Sequence, residues 1–460
     1  MEQQYVVGVD VGTTSAKAVV FTLDGQIVAT GRRTYQWNQT PFGAEIAATA
    51  LADAAHAALR LAIDGTPPGP IRAVGIASIG ESGILLDKSN SPIAPVIAWH
   101  DKRDSTELAD LAEDIGGDRF SSVTGLPFRQ QWSLTKHRWF TSTHPEVRNV
   151  SMRLNVAEWI AFTLGAAPST EFSLASRTGW FDVVNKAWWD ETLGWSRLDE
   201  SALPELVAAG TDLGSVTSSA VSSRLQGAAL TTAGQDHQAA AVGLGATAAG
   251  AEVDSCGTAE ALVRTVEPMA SAADILALTR VGVTVGWHAI PDKWCLLAAT
   301  EGGLVLGRAL SALGIRDFTA GGFDDHARQI AIPAVRAVVG NTGSLGFENI
   351  GDDASPEQLW RSAIELVTEQ VATLHDAMSE IVGSHGELIV TGGWSTSSAL
   401  LDSKRRRLGK FSRPEVAEGG ARGAAIFAGM AADLWPDPLS HTLTQGRRNR
   451  PNMQGATLIR

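Results

Sequence analysis

The chain is poor in cysteine. Cys256 and Cys295 are its only two in 460 residues, too few for a disulfide framework and without the spacing of a zinc site. Basic excess is lacking too. Lys and Arg total 37 against 50 Asp and Glu, a formal net charge of −13, which argues against a general nucleic-acid binder but leaves room for a local anion site. No membrane span is expected, because the apolar run near the N-terminus is broken by Asp10 and Lys17. Met1-Glu2-Gln3-Gln4 has no basic region, so no secretory leader is expected and the cytoplasm is the expected location. A Walker A loop, GxxxxGK[ST], is also absent. What remains is 44% hydrophobic and 19% charged residues, the profile of a soluble globular protein. The length calls for two or three domains.

The most informative stretch is Ala228–Glu260. An apolar run, Ala228–Ala233, ends at Gly234-Gln235-Asp236-His237, and a helix is expected over Gln238–Leu244. A carboxylate at the end of a buried strand, beside glycine, can reach a substrate with few side chains in the way. A strand is expected at Glu252–Cys256, broken at Gly257-Thr258 and resumed at Ala261–Thr265. Such a turn offers backbone N–H groups to an anion.

The same unit occurs near the N-terminus. Strands are expected at Tyr5–Asp10, Lys17–Thr22 and, after the Asp24-Gly25 hairpin turn, Gln26–Thr30. Between the first two lies Gly12-Thr13-Thr14-Ser15, with Asp10 before it and Lys17 after. Turn amides and hydroxyls can hold ATP phosphate oxygens, and Asp10 can bind Mg²⁺. An ordinary hairpin turn is the plainer reading.

Ala44–Ile63 is alanine-rich and reads as a helix. Ile71–Ser78 reads as a buried parallel strand running into Gly80-Glu81-Ser82-Gly83, and in open α/β sheets ligands gather at such strand ends. Glu81 equally suits a solvent-exposed turn. Trp99-His100-Asp101-Lys102-Arg103 could face a polyol, or could simply open a helix Ser105–Ile115 with Asp104 as its cap. The tryptophans between Trp132 and Trp195 suit packing better than sugar stacking. In the second half, Ser355-Pro356-Glu357-Gln358 opens a long amphipathic helix. Glu387–Thr391 is a buried strand ending at Gly392-Gly393-Trp394, where adenosine could lie against backbone, or where the chain merely turns. Glu418–Leu434 is a small-residue helix.

These pieces together resemble the FGGY carbohydrate kinases of the actin/hexokinase superfamily. The matching segments are GVDVGTTSAK (Gly8–Lys17), AWHDKR (Ala98–Arg103), LNVAEWIAFTLGAAPSTEFSLASRTGWFD (Leu154–Asp182), LPELVAAGTDLG (Leu203–Gly214), AGQDHQAAAVGLG (Ala233–Gly245), SCGTAEAL (Ser255–Leu262), TGGW (Thr391–Trp394) and ARGAAIFA (Ala421–Ala428). The resemblance implies an α/β fold of two ribonuclease-H-like domains with a catalytic cleft between them. The expected division is 1–233, 234–435 and a basic tail 436–460. The resemblance makes Asp236 the general base and places Asp10 and Asp236 at Mg²⁺. Gly12, Thr13, Thr14 and Lys17 become the first phosphate loop, Gly257 and Thr258 the second, and Gly392 and Gly393 the adenosine border. Glu81, Trp99, Asp101, Arg103 and Asp236 would line the substrate side. ATP and Mg²⁺ are the implied cofactors and a small sugar or polyol the partner, with no nucleic acid and no membrane. A homodimer is among the states left open.

The chain departs from the family at the substrate side. The Gly-Gln-Met-His-Gly signature of xylulose kinases is replaced by Gly80-Glu81-Ser82-Gly83, and the Gly-Glu-Arg and proline signature of the second domain is missing. Three carboxylates, Glu81, Asp101 and Asp236, against Arg103 alone favour many hydroxyl donors. A ketopentose is therefore expected first, with gluconate second and glycerol third. A catalytically silent sugar-binding regulator would need the loss of Asp236 or of a phosphate loop, and neither is lost. A chaperone-like ATPase would need a further peptide-binding domain.

Overall fold

The computed structural model describes residues 2–269, 271–340 and 343–435. The expected tail, 436–460, lies outside the described residues. The first sheet opens with a hairpin of β1 (Tyr5–Val11) and β2 (Ser15–Thr22), continued by β3 (Ile27–Thr34). Next to β1 lies the parallel strand β4 (Ile71–Ser78), and next to that the parallel strand β5 (Ala229–Gln235). The order is β5-β4-β1-β2-β3. β1 and β4 are apolar along nearly their whole length because both of their faces are covered.

Helix α1 (Ala48–Asp64) covers one face of this sheet. It starts later than the sequence suggested. Gly43–Ile46 is a strand, paired with Asn38–Thr40 and with Val96–Ile97. Its alanine and isoleucine suit a helix, but this pairing takes up its backbone groups first. Asp104 does precede the helix Ser105–Asp114, yet its side chain makes no cap bond. Its Oδ2 accepts instead from Thr135 Oγ1 at 2.5 Å.

After β5 comes helix α2 (Asp236–Gly243), which begins on Asp236 itself. The second sheet then repeats the first. β6 (Glu252–Cys256) and β7 (Glu260–Val266) form a hairpin. β8 (Thr284–Trp287) and β9 (Trp294–Thr300) extend it, and β10 (Leu388–Thr391) lies parallel to β6. The order is β8-β9-β7-β6-β10. In each sheet a hairpin with a Gly-Thr turn stands beside a parallel strand, the ribonuclease-H-like arrangement. Helices α3 (Gly302–Ala312) and α4 (Pro356–Val382) pack on the second sheet. Ser355 caps α4 in a capping box with Gln358, and Pro356 sits in its first turn. Trp360, Val367, Val371 and Met378 are its buried anchors, each worth about 1.5–3 kcal/mol.

Helix α5 (Ser398–Leu408) lies beside α4. Helix α6 (Gly419–Ala431) returns to the first sheet, packing on β1, β4 and α2. Only small residues allow this approach. A Cβ on Gly8 would overlap the Ala421 carbonyl oxygen, and one on Gly75 would overlap that of Ala424. The end of the described chain is thereby fixed against its beginning.

Candidate functional site

Strand register assembles the site. Val11, Ser78 and Gln235 are aligned across β1, β4 and β5, and adjacent strands lie about 4.8 Å apart. The residues just past that row are therefore Gly12, Ile79 and Asp236. The first Gly-Thr turn, the Gly80-Glu81 turn and the candidate base all emerge at the carboxyl edge of one sheet. This is where ligands bind open α/β sheets.

Asp10 faces the same edge, one residue before the row. Its carboxyl is pushed up to about 7, first by burial and then by the negative charge of Asp236, with Lys17 acting in the opposite direction. Its Oδ1 is buried without a hydrogen-bond partner. Lys17, opposite Asp10 in the hairpin, turns its ammonium to Glu418 at 2.6 Å. Glu418 precedes α6 in a left-handed conformation, φ 62°. Asp236 Oδ1 accepts from its own helix, at His237 N (2.8 Å), and from the Gln235 amide. Two neighbouring carboxylates with an unpartnered oxygen form a hard-oxygen donor set of the kind Mg²⁺ takes.

The first Gly-Thr turn is held by aromatic side chains. Trp37 Nε1 donates to the Thr13 carbonyl at 2.8 Å and Trp99 Nε1 to Thr13 Oγ1 at 3.1 Å. The Tyr35 hydroxyl donates to the Gly12 carbonyl, and Tyr35 N to the Thr14 carbonyl at 3.1 Å. Trp99 thus links the loop 99–103 to the first Gly-Thr turn. Tyr35 and Trp37 were not among the sequence candidates. They sit beyond β3, and only the folded hairpin brings them back to Gly12.

The remaining substrate-side candidates separate into two ion pairs. Asp101 is bound to its neighbour. Its Oδ1 accepts from Arg103 N (2.9 Å) and Nε (3.0 Å), and its Oδ2 from Ala44 N (2.5 Å) and Arg103 Nη2 (3.1 Å). Arg103 also pairs with Glu45 at 3.0 Å and lies 4.8 Å over Trp139. Glu81, by contrast, is buried (4% exposed) rather than a solvent-facing turn residue. It is held at φ 63°, a strained conformation for glutamate. Its Oε1 accepts from Arg177 Nε at 2.5 Å and from Gln131 Nε2 at 3.3 Å, and it ion-pairs with Arg177 Nη2. Arg177 and Gln131 were missed by sequence reasoning. Arg177 lies inside the SRTGWFD segment, where nothing signals a partner 96 residues away. Trp132 and Trp180 are buried packing residues, as expected.

In the second sheet, Gly257-Thr258 and Gly392-Gly393 end the parallel neighbours β6 and β10. A Cβ on Gly392, at φ 93°, would overlap the Cys256 backbone, and one on Gly303 would overlap the Gly257 carbonyl oxygen. The N-terminus of α3 therefore rests directly on the second turn. Thr258 is exposed, and the space beside Gly393 is open. Beneath the turn, ligand atoms of Asp254, Cys256 and Glu260 lie within 4.8 Å of one another. That place is already filled, because the Lys404 ammonium contacts both carboxylates.

Two ribonuclease-H-like sheets, each presenting a Gly-Thr turn at its carboxyl edge, with acidic side chains beside the first, define a phosphotransferase of the actin/hexokinase type. The model of the FGGY family of carbohydrate kinases, N-terminal domain, matches residues 5–243, and the chain belongs to that family. Its members use ATP with Mg²⁺. A glycerol kinase of Paraburkholderia phytofirmans is 29% identical over 95% of this chain and 91% of its own length. The same fold is seen in a glycerol kinase of Plasmodium falciparum solved with ADP (TM-score 0.88, 18% identity, 98% of this chain and 93% of that one). It recurs in a ligand-bound xylulose kinase (TM-score 0.86, 18% identity, 96% and 92%) and a gluconate kinase (TM-score 0.85, 18% identity, 96% and 92%), both of Lactobacillus acidophilus.

Proposed function

We propose that this kinase transfers the γ-phosphoryl group of ATP to a hydroxyl of a small sugar, polyol or sugar acid, with Asp236 as general base. The observation that carries the reading is the aligned row Val11, Ser78 and Gln235, which delivers the first turn, Glu81 and Asp236 to one sheet edge. Gly12, Thr13, Thr14 and Lys17 take phosphate oxygens on one side. Gly257 and Thr258 take them on the other, and Gly392 and Gly393 border the adenosine. Asp10 and Asp236 would hold Mg²⁺, which neutralises phosphate charge when bound. Asp236 accepts the proton as the hydroxyl attacks in line. Phosphoryl transfer needs little more than positioning and charge neutralisation.

The working division nearly follows the two sheets, cutting β5 two residues before its end. Residues 1–233 carry substrate and first turn, and 234–435 carry the base, the second turn and the adenosine border, with α6 lent back to the first sheet. On the substrate side, Glu81 offers an acceptor and Trp99 a wall. Asp101 and Arg103 shape the loop from behind, since each already satisfies the other. That pairing removes the charge count that favoured a ketopentose. A ketopentose remains the neutral candidate, and a sugar acid the charged one. ADP release with Mg-ATP over trioses to heptoses, their polyols and their aldonic acids tests the function. Turnover on one of these classes, abolished in Asp236→Asn, is expected. No turnover on any would return the silent-regulator reading.

A further inference from the structure

Around Glu81 the structure gathers more positive charge than the sequence suggested. Arg177 lies along Gly80, where a Cβ would sit 3.0 Å from its Cδ and Nε. Residue 80 is thus left bare so that Arg177 can grip Glu81. Oε1 of Glu81 takes every donor, from Arg177 and Gln131, and Oε2 has no hydrogen-bond partner among the described residues. Gln131 is a bridge. Its Oε1 accepts from Arg129 Nε at 2.9 Å while its amide donates to Glu81. The guanidinium carbons of Arg129 and Arg177 lie 5.5 and 5.7 Å from the centre of one ring, Trp132.

Of the cations near Glu81, Lys136, Arg153 and Arg129 form no ion pair among the described residues, and the buried Arg153 guanidinium is held by Asn155 Oδ1 and Ser133 Oγ. Glu81 is matched by Arg177, and Asp101 by Arg103. The Lys136 ammonium is spent on the carbonyls of Ala98, Trp99 and Gln131. Arg129 is exposed and forms no ion pair among the described residues. Its Nε is fixed by Gln131, so its two terminal nitrogens are presented as an oriented fork rather than a loose surface chain. Although the residue as a whole is exposed, partial desolvation of its guanidinium and the charge of Arg177 act against it, while the charge of Glu81 acts in its favour. An arriving anion would relieve that repulsion, and a neutral polyol would not. A guanidinium fork matches a carboxylate bidentately.

We infer that the substrate is a sugar acid, its carboxylate received by Nη1 and Nη2 of Arg129 while Oε2 of Glu81 accepts one of its hydroxyls. The inference rests on the kinase reading above. Charge-assisted pairs of this kind are worth about tenfold to a hundredfold in affinity. The test is ADP release for matched aldonic acids, polyols and ketoses of four to six carbons, with the corresponding sugar phosphates as a separate arm. The wild-type chain, Arg129→Gln and Arg129→Lys are compared, and thermal melts confirm folding. The expected result is an acid-over-polyol preference of at least tenfold in kcat/KM. Arg129→Gln should collapse that ratio toward one, mainly through KM, and Arg129→Lys should restore part of it. A preference for sugar phosphates over carboxylates would overturn the acid assignment. So would preferred turnover of neutral substrates with a ratio indifferent to residue 129, which leaves the kinase reading standing. No turnover in any arm would overturn both.

Discussion

The two Gly-Thr turns are built from the same hairpin but use charge in opposite ways. Under the first turn, Asp10 keeps an unpartnered oxygen while the ammonium of Lys17 turns to Glu418, and burial and the charge of Asp236 raise the Asp10 carboxyl pKa. Under the second, Asp254 and Glu260 are pinned by the buried ammonium of Lys404. The first site is left wanting a cation, and the second has one built in. Support differs as well. Indole and phenol groups hold the first turn from outside, whereas backbone against glycine holds the second from beneath. On the proposed reading, one half receives metal and substrate, and the other stays rigid under the nucleotide.

The largest effect expected from breaking this contrast is at the base. Asp236→Asn keeps the shape and removes the proton acceptor, and kcat should fall by about 10²–10⁴. Calorimetry should show ADP still binding. Near-normal turnover would remove Asp236 from its role. Next comes Lys404→Met, which leaves two buried carboxylates unpaired. A stability loss of about 3–5 kcal/mol is expected in denaturant titration, whereas Lys17→Met, at a half-buried pair, should cost far less. Equal losses would erase the distinction between the built-in cation and the borrowed one.

The two turns and their strands were legible in the sequence, and the reasons are local. Ile71–Ser78 and Glu252–Cys256 are strands at the expected bounds, because short runs bounded by glycine leave little choice. Asp236 stands at a strand end as read. What was not legible depends on partners far along the chain. Glu418 reaches Lys17 across 401 positions and Lys404 reaches Asp254 across 150. No periodicity encodes either. Asp101 and Arg103 were seen as neighbours but not as each other's partners, since two residues of a turn can point anywhere until Ala44 and Glu45 close around them.

A smaller effect tests whether the turns act together. Thr14→Val and Thr258→Val should each weaken ATP more than sugar. The two ligands should bind cooperatively, with a coupling of about 1–3 kcal/mol by calorimetry. Ligands indifferent to each other would deny closure of the cleft. The smallest effect expected is at Trp99→Phe, which deletes the indole bond to Thr13 and keeps the ring wall. KM for ATP should rise by a factor consistent with about 0.5–1.5 kcal/mol. A change in sugar KM alone would make Trp99 a substrate wall only.

The difference between the turns is tested most directly by Mg²⁺ dependence of nucleotide binding. ADP affinity is measured by calorimetry with and without Mg²⁺ in the wild-type chain, Asp10→Asn and Asp254→Asn. The account predicts that Asp10→Asn loses most of the Mg²⁺ enhancement, while Asp254→Asn keeps it despite a lower melting temperature. An Asp10→Asn chain that responds to Mg²⁺ as fully as wild type would contradict it.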